Sequence, residues 1–486
     1  MGGPPWLEPW AWRLALVLLA AGIMTLGVLS RRWKSSLTLA LGIGLAFRVA
    51  VVALSYRHTP DDAAIVFRHS AELVRAGRNP VFAPEWSSTP LVPYLHAALL
   101  PVALPWQVVE KALPVLADLV TIVLVGRLAG HRAATARLLY ATNPLALLVV
   151  AHHGQLEPVG VALALAAVLV IRRPKGPSGP GVDQDRAGRR ALVSGLLLGM
   201  SVAVKTWSVV MVPGLLRESA RRHWPLILGG LAGPPLALLA AVPVFSNGGF
   251  LATVRVVASY RSIAGDWGWT GVLHLLGHSG RGYAGPDVDR WQHLGTIVTL
   301  AAGVLVVALF HRADGPDLAL APLLAVLAVT AGFGVQYLLW PVALLLARGG
   351  WNTWCYLWPA AAYAGYDYLR LIPLGASPHH DLVLQSALSI TVCVGAVVAL
   401  PWSGRRGRPA TPAAPPEPHH SGHERPPTAG PQRCVADPPG RQVPAGLTRR
   451  PSDAVLDGVG SARVSVGSRR WRMVGALDRE PTTGLE

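Results

Sequence analysis

Charge is what this chain has least of. Only 14% of its 486 residues are Asp, Glu, Lys or Arg, where a soluble chain of this size carries about 25%. Cysteine is almost missing too: Cys355, Cys393 and Cys434 are widely spaced and form no CxxC pair. That excludes a disulfide framework and a thiolate zinc site. No Gly-rich phosphate loop is evident, and the one long polar stretch has too few large apolar residues to build a soluble catalytic domain. Any chemistry must therefore reside in the apolar part of the chain or in its connecting loops.

Hydrophobic residues make up 52% of the chain, and the mean hydropathy is +0.41. Runs such as LALVLLAAGIMTLGVLS and GTIVTLAAGVLVVALF approach the roughly 20 apolar residues that span a bilayer. The expected fold class is an all-α polytopic membrane protein. The first run is followed by RRWK, not by a small-residue cleavage site, so it reads as a retained helix. The formal net charge of +17 does not imply nucleic acid, because the basic residues fall in short loops and a tail, as membrane orientation requires.

Those loops set the expected topology. Basic clusters occur at Arg31, Arg32 and Lys34, at 127–137, 172–190, 217–223 and 311–317, and at GRRGR 404–408. If each is cytoplasmic, residues 1–36 form an extra N-terminal helix and 37–55 leads outward. TPDD at 59–62 then faces outside, and an external loop extends from 56 to about 110. A proline-broken segment, PLVPYLHAALLP, lies on the surface within that loop, and 112–128 returns. In all, about 13 crossings are expected, with the N-terminus outside and the C-terminus inside. Between basic clusters, 137–172 and 190–217 must each go out and back. Residues 138–152 as a helix reach roughly 22 Å, short of a hydrocarbon core about 30 Å thick. The hairpin tips HHGQLE and Lys205 should therefore sit sunk in the outer half of the membrane, where polar groups usually face a cavity and act there. A second external loop, 246–292, contains SYRSIAGDWGWTG, and a further hairpin turns near GVQYLLW at 334–340. From 402 to 486, Pro, Gly, Arg and Ser dominate, which reads as a disordered cytoplasmic tail.

Three polar clusters thus converge on one face: Asp61 with Asp62, the tip residues His152, His153, Gln155 and Glu157, and Lys205. Each has a plainer reading. Aspartate is a common helix cap, Glu157 suits a first helical turn, the histidines could simply cap the hairpin, and Lys205 could snorkel. Trp267 and Trp269 could stack on a sugar ring, but an interfacial aromatic belt is the more ordinary use of such tryptophans. His379, His380 and Asp381 lack a further ligand for a metal site.

The motifs TPDDAAIVFRHSAELVRAGRNP, STPLVPYLHAALLP, NPLALLVVAHHGQLEPVGVALALAA and GLLLGMSVAVKTWSVVMVPGLL, in that order over roughly 37–220, resemble the GT-C glycosyltransferases. The likeness is greatest to polyprenyl-phosphate-mannose-dependent mannosyltransferases, including the GPI mannosyltransferase I type. Glu157 stands where Asp is commoner, and the adjacent aspartates replace the D-x-D of some relatives. The resemblance implies a GT-C-like bundle of about 11–13 transmembrane helices, with 37–245 as catalytic module and 246–401 adding a second external loop and the last helices. It implies an inverting transfer of a sugar, mannose by family weight, from a polyprenyl-phosphate donor to an envelope glycan or lipid acceptor. No cofactor is then needed, because the donor carries its own leaving group.

In that chemistry a carboxylate, Asp61 or Asp62, takes the acceptor proton, and cations among Lys205, Arg255 and Arg261 meet the departing phosphate. His152, His153, Gln155, Glu157, Tyr260 and Trp267 complete the candidate substrate-binding set. The Ala-, Gly-, Pro- and Arg-rich composition suggests a GC-rich bacterial genome and hence a plasma-membrane location. A transporter or lipid flippase is the alternative reading, and a non-catalytic envelope protein on the same scaffold is a third. A transporter would be expected to show internal repeats, and no second copy of TPDD or GQLE occurs.

Overall fold

Apolar runs bounded by serine, glycine and proline become helices in the computed structural model, which describes residues 9–29, 35–58, 65–82, 89–172, 182–247, 249–258, 263–282, 285–370 and 378–402. Among the described residues there is no strand, only isolated bridges from Ala264 to Gly282 and Gly332. The protein is an all-α polytopic bundle. Among the described residues, six helices are long and apolar enough to cross a membrane, and they lie within Ala11–Leu29, Leu37–Ser55, Asp185–Val204, Arg221–Phe245, Pro286–Leu309 and Asp381–Ala399.

The first helix, α1 (Pro9–Leu29), is followed by α2 (Leu37–Ser55), whose N-cap Ser36 accepts the Leu39 amide. Two short helices come next, α3 (Phe67–Arg75) and α4 (Leu91–Leu99). Their inner faces, with Phe67, Leu73 and Val92, join Trp106, Leu156 and Val204 in a small separate core. PLVPYLHAALLP is thus a short helix packed over the bundle end, as its prolines require. The long α5 (Trp106–Ala129) begins directly after Pro105, and so extends several residues before the expected start at 112. That extension carries Glu110 and Lys111 into the bundle, where both are fully buried.

The expected hairpins are present. In the first, α6 (Ala133–Ala141) stops at Asn143, whose Oδ1 accepts the amides of Leu145 and Ala146 and caps α7 (Pro144–Ala146). Asn-Pro is thus a stop and a restart in two residues. The chain runs on as a π-helix, Leu147–His153, turns at Gly154 in the left-handed region (φ 89°), and returns as α8 (Glu157–Ile171). In the second hairpin α9 (Val182–Val204) breaks at Lys205, which is extended, before a 3-10 turn Thr206–Met211 and α10 (Val212–Glu218).

The remaining helices are α11 (Trp224–Phe245), α12 (Phe250–Ala258), α13 (Gly268–Leu275) and α14 (Pro286–Leu309). A third hairpin joins α15 (Gly315–Val329) through the 3-10 turn Val335–Leu339 to α16 (Val342–Arg348). The last two helices are α17 (Asn352–Arg370) and α18 (Pro378–Ala399). Trp207 and Trp340, at the tips of the second and third hairpins, stack with centroids 4.6 Å apart.

Close backbone approach explains Gly195 and Gly199 of α9. A Cβ on Gly199 would lie 2.6 Å from the carbonyl oxygen of Gly230 on α11, the small-residue packing that membrane helices use in place of a hydrophobic drive. Deeper in the bundle, Arg48 of α2 is ion-paired with Asp118 of α5. Arg48 also donates to the carbonyls of Gly44 and Ala141, and Tyr140 OH of α6 donates to Asp118 at 2.6 Å. All three side chains are fully buried.

The loops sort to two ends. At one, Arg132 bonds the Arg348 carbonyl, Arg217 the Ala313 carbonyl, and Glu218 accepts the Gly315 amide. These are the expected basic connections. At the other lie the hairpin tips. Residues 403–486, including Cys434 and the expected tail, fall outside the described residues; Cys355 and Cys393 are free thiols.

Candidate functional site

The site is built from three helix ends. Ser55 closes α2, Lys111 sits in the second turn of α5, and the π-helix ends at His153. Lys111 Nζ donates to the His152 carbonyl at 2.8 Å and to Ser55 Oγ at 3.2 Å, while Ser55 Oγ donates to the Ala151 carbonyl. The buried ammonium and the Ser55 hydroxyl thus satisfy one carbonyl each, of His152 and Ala151, that the π-helix leaves open at its C-terminus. Gly154 is required here for two reasons. Its φ is positive, and a Cβ would press on Lys111 Cγ at 3.0 Å.

Four of the sequence-derived candidates meet at this turn. His152, His153, Gln155 and Glu157 are all buried. The Gln155 side-chain amide lies 2.7 Å from His153 Nε2. The Tyr368 ring meets His153 edge-on at 4.9 Å and His152 at 6.0 Å. Glu157, fully buried at the start of α8, faces Lys205 Nζ at 3.5 Å. The tips of the first two hairpins are therefore joined by an ion pair, with Lys205 still 19% exposed.

Other candidates sit elsewhere. Arg255 is exposed on α12. Trp267 is fully buried, stacked on Phe333 at 3.6 Å, edge-on to Tyr363, and donates its indole N–H to the Leu327 carbonyl at 2.9 Å. Its ring is occupied by protein and offers no face to a sugar in this structure. Trp269 likewise donates to the Val329 carbonyl. Asp61, Asp62, Tyr260 and Arg261 lie outside the described residues, as do the side chains of His379 and His380. A π turn at 65–66 leads into α3, and whether an aspartate caps that helical segment lies outside the described residues.

Several charged residues at this end were not singled out from the sequence. Arg13 of α1 is buried and within electrostatic reach of Lys111 and His152. Asp367 of α17 stands in the same relation to His153 and Asp266. Asp266, in the loop before α13, is paired with Arg281 at 2.7 Å; burial raises its pKa, and the guanidinium opposes that rise. The sequence signal for these residues is the rarity of charge itself. An ionisable residue inside an apolar segment is a site candidate by default, and Arg13, inside the first apolar run, meets that test.

The arrangement brings cations, two imidazoles and a buried carboxylate together at one end of the helical bundle. Such a set can bind an anion beside polar hydroxyl-bearing ligands and can shuttle a proton. No protein family, curated protein or solved structure matches the chain.

Proposed function

We propose that the protein is an integral-membrane glycosyltransferase that moves a sugar from a polyprenyl-phosphate donor to an envelope acceptor, and that the described tips form part of its donor site. The observation that carries this reading is the Glu157–Lys205 pair, 3.5 Å long. It joins two hairpins that are distant in sequence, at the same bundle end as Ser55, six residues before Asp61. In the proposed reaction an acceptor hydroxyl attacks the anomeric carbon as the carbon–oxygen bond to phosphate breaks. Asp61, or Asp62, takes the hydroxyl proton. The phosphate leaves with the electron pair, towards the cationic set of Lys205, Lys111 and Arg13. Direct displacement inverts the anomeric centre. His152, His153 and Gln155 supply hydrogen bonds to sugar or phosphate. On the expected topology the site faces the outside of a plasma membrane.

A transporter or flippase is the second reading, favoured by the three interrupted hairpins, since broken helices at membrane depth are a transporter device. One experiment separates the two. Membranes containing the protein are given a panel of radiolabelled polyprenyl-phosphate sugars, and both label in acceptor and label crossing sealed vesicles are counted. Covalent transfer from one donor, absent in Asp61→Asn, Asp62→Asn membranes, supports the enzyme. Donor translocation without transfer overturns it.

A further inference from the structure

The end of the bundle opposite the tips holds a cavity of about 660 Å³, inside the range of roughly 300–1,000 Å³ typical of ligand sites. Its floor is the turn Gly349–Gly350 between α16 and α17, and Arg132, Arg348, Trp351 and Trp402 stand around it, with Val398 of α18 as an apolar wall. Both glycines have positive φ, 69° and 102°. The Arg132 guanidinium lies over Gly349, where any side chain would collide with it.

Two guanidiniums, Arg132 and Arg348, line the cavity. Arg132 Nη1 donates to the carbonyls of Arg348 (2.6 Å) and Ala347 (3.4 Å), which fixes the guanidinium on the end of α16. It pairs with no carboxylate among the described residues, and its Nε and Nη2 make no hydrogen bond among them. Arg348 is held from behind by Asp317 at 3.3 Å and donates to the Ala399 carbonyl. The N-terminus of the 19-residue α17 opens on the same space, adding the positive end of its dipole. Two indoles mark the rim: Trp351 is 74% and Trp402 43% exposed. Beside them the outer face of α18, with Val394 and Val397 exposed, is apolar and open to acyl chains. Tryptophans at the end of apolar helices belong at headgroup level, and basic pockets between membrane helices take anionic headgroups.

We propose that this cavity binds the phosphate of an anionic membrane phospholipid, with Arg132 and Arg348 on the phosphate and the acyl chains lying along α18. It is separate from the tip site and independent of the glycosyltransferase reading.

The test uses the full chain purified in neutral detergent. Bound lipid is counted by native mass spectrometry during titration with phosphatidylglycerol or phosphatidylcholine, each with and without millimolar inorganic phosphate. The wild type should hold one phosphatidylglycerol at least about tenfold more tightly than phosphatidylcholine. Arg132→Gln should abolish that preference. Because Arg132 also caps α16, a second variant, Trp351→Glu, places a negative charge at the exposed rim without touching the core. It should weaken phosphatidylglycerol about tenfold with unchanged melting temperature in lipid-free detergent. Equal binding of the two lipids, or an unaffected Trp351→Glu protein, overturns the proposal. So does full displacement by inorganic phosphate, which would make the cavity a site for the free ion.

Discussion

At the scale of single residues, two carboxylates carry opposite kinds of consequence. Asp61→Asn keeps side-chain shape and hydrogen-bonding oxygen but removes proton-accepting capacity. A positioned acid–base group contributes typically 10²–10⁴-fold, so transfer should fall at least about 100-fold while protein level and insertion stay normal. Asp62→Asn should do less, and the reverse ranking would move the base to Asp62. Sugar transfer in isolated membranes, normalised to protein, decides this. Asp118→Ala acts on the fold instead. It strands the fully buried guanidinium of Arg48 and removes the acceptor of Tyr140 OH. Breaking a buried pair by removing one partner costs about 3–5 kcal/mol. A marked fall in thermal stability in detergent is expected, and Arg48→Met with Asp118→Leu should recover part of it; an unchanged melting temperature would show the pair to be dispensable. The tip histidines, Gln155, Glu157 and Lys205 could be read from the sequence because hairpin length forced them to one end. The Arg48–Asp118 pair could not be assigned that way. Two opposite charges in separate apolar runs are each visible, but nothing local says that they meet.

At the scale of elements, the short helices over the tips are the part whose stability should respond to acid. His96 of α4 is buried between Phe67 and Trp106, with ring centroids 5.5 and 5.4 Å away, and neither ring nitrogen has a hydrogen-bond partner among the described residues. Burial pushes its pKa down from 6.5 to about 4. A depressed histidine stabilises the packed form above its unfolded pKa, and that contribution is lost as pH falls from about 6.5 through about 4. Hydrogen exchange over 91–99 should therefore accelerate across that window in the wild type and much less in His96→Leu. Identical acid profiles would remove His96 from the account. Element positions were largely legible: basic clusters and span lengths located the hairpins, and prolines broke PLVPYLHAALLP, whereas the stop at Asn143 and the tight α9–α11 contact at Gly199 show only once the helices are packed. The early start of α5 was not, because Glu110 and Lys111 look like loop residues until Lys111 is seen bonding the His152 carbonyl.

At the scale of the whole molecule, the two ends are chemically unlike. One gathers Arg132, Arg217 and Arg348; the other gathers the hairpin tips, Lys111 and Lys205. This sorting is what alternating basic loops require, and it was legible because positive charge is counted loop by loop. Which end faces the cytoplasm is a matter of membrane insertion, and arginine-rich short loops are retained inside. The expectation is therefore that Arg186 and the segment after 402 are cytoplasmic, while Gln155 and Lys205 open outward. Single cysteines in a background lacking Cys355, Cys393 and Cys434 test this on intact cells with an impermeant thiol reagent. Arg186→Cys should label only after the membrane is opened, and a cysteine in place of Thr59, beside the aspartates, should label from outside. Labelling of Arg186→Cys on intact cells would invert the bundle. The tip site would then face the cytoplasm, and the Arg132 cavity would lie in the outer leaflet.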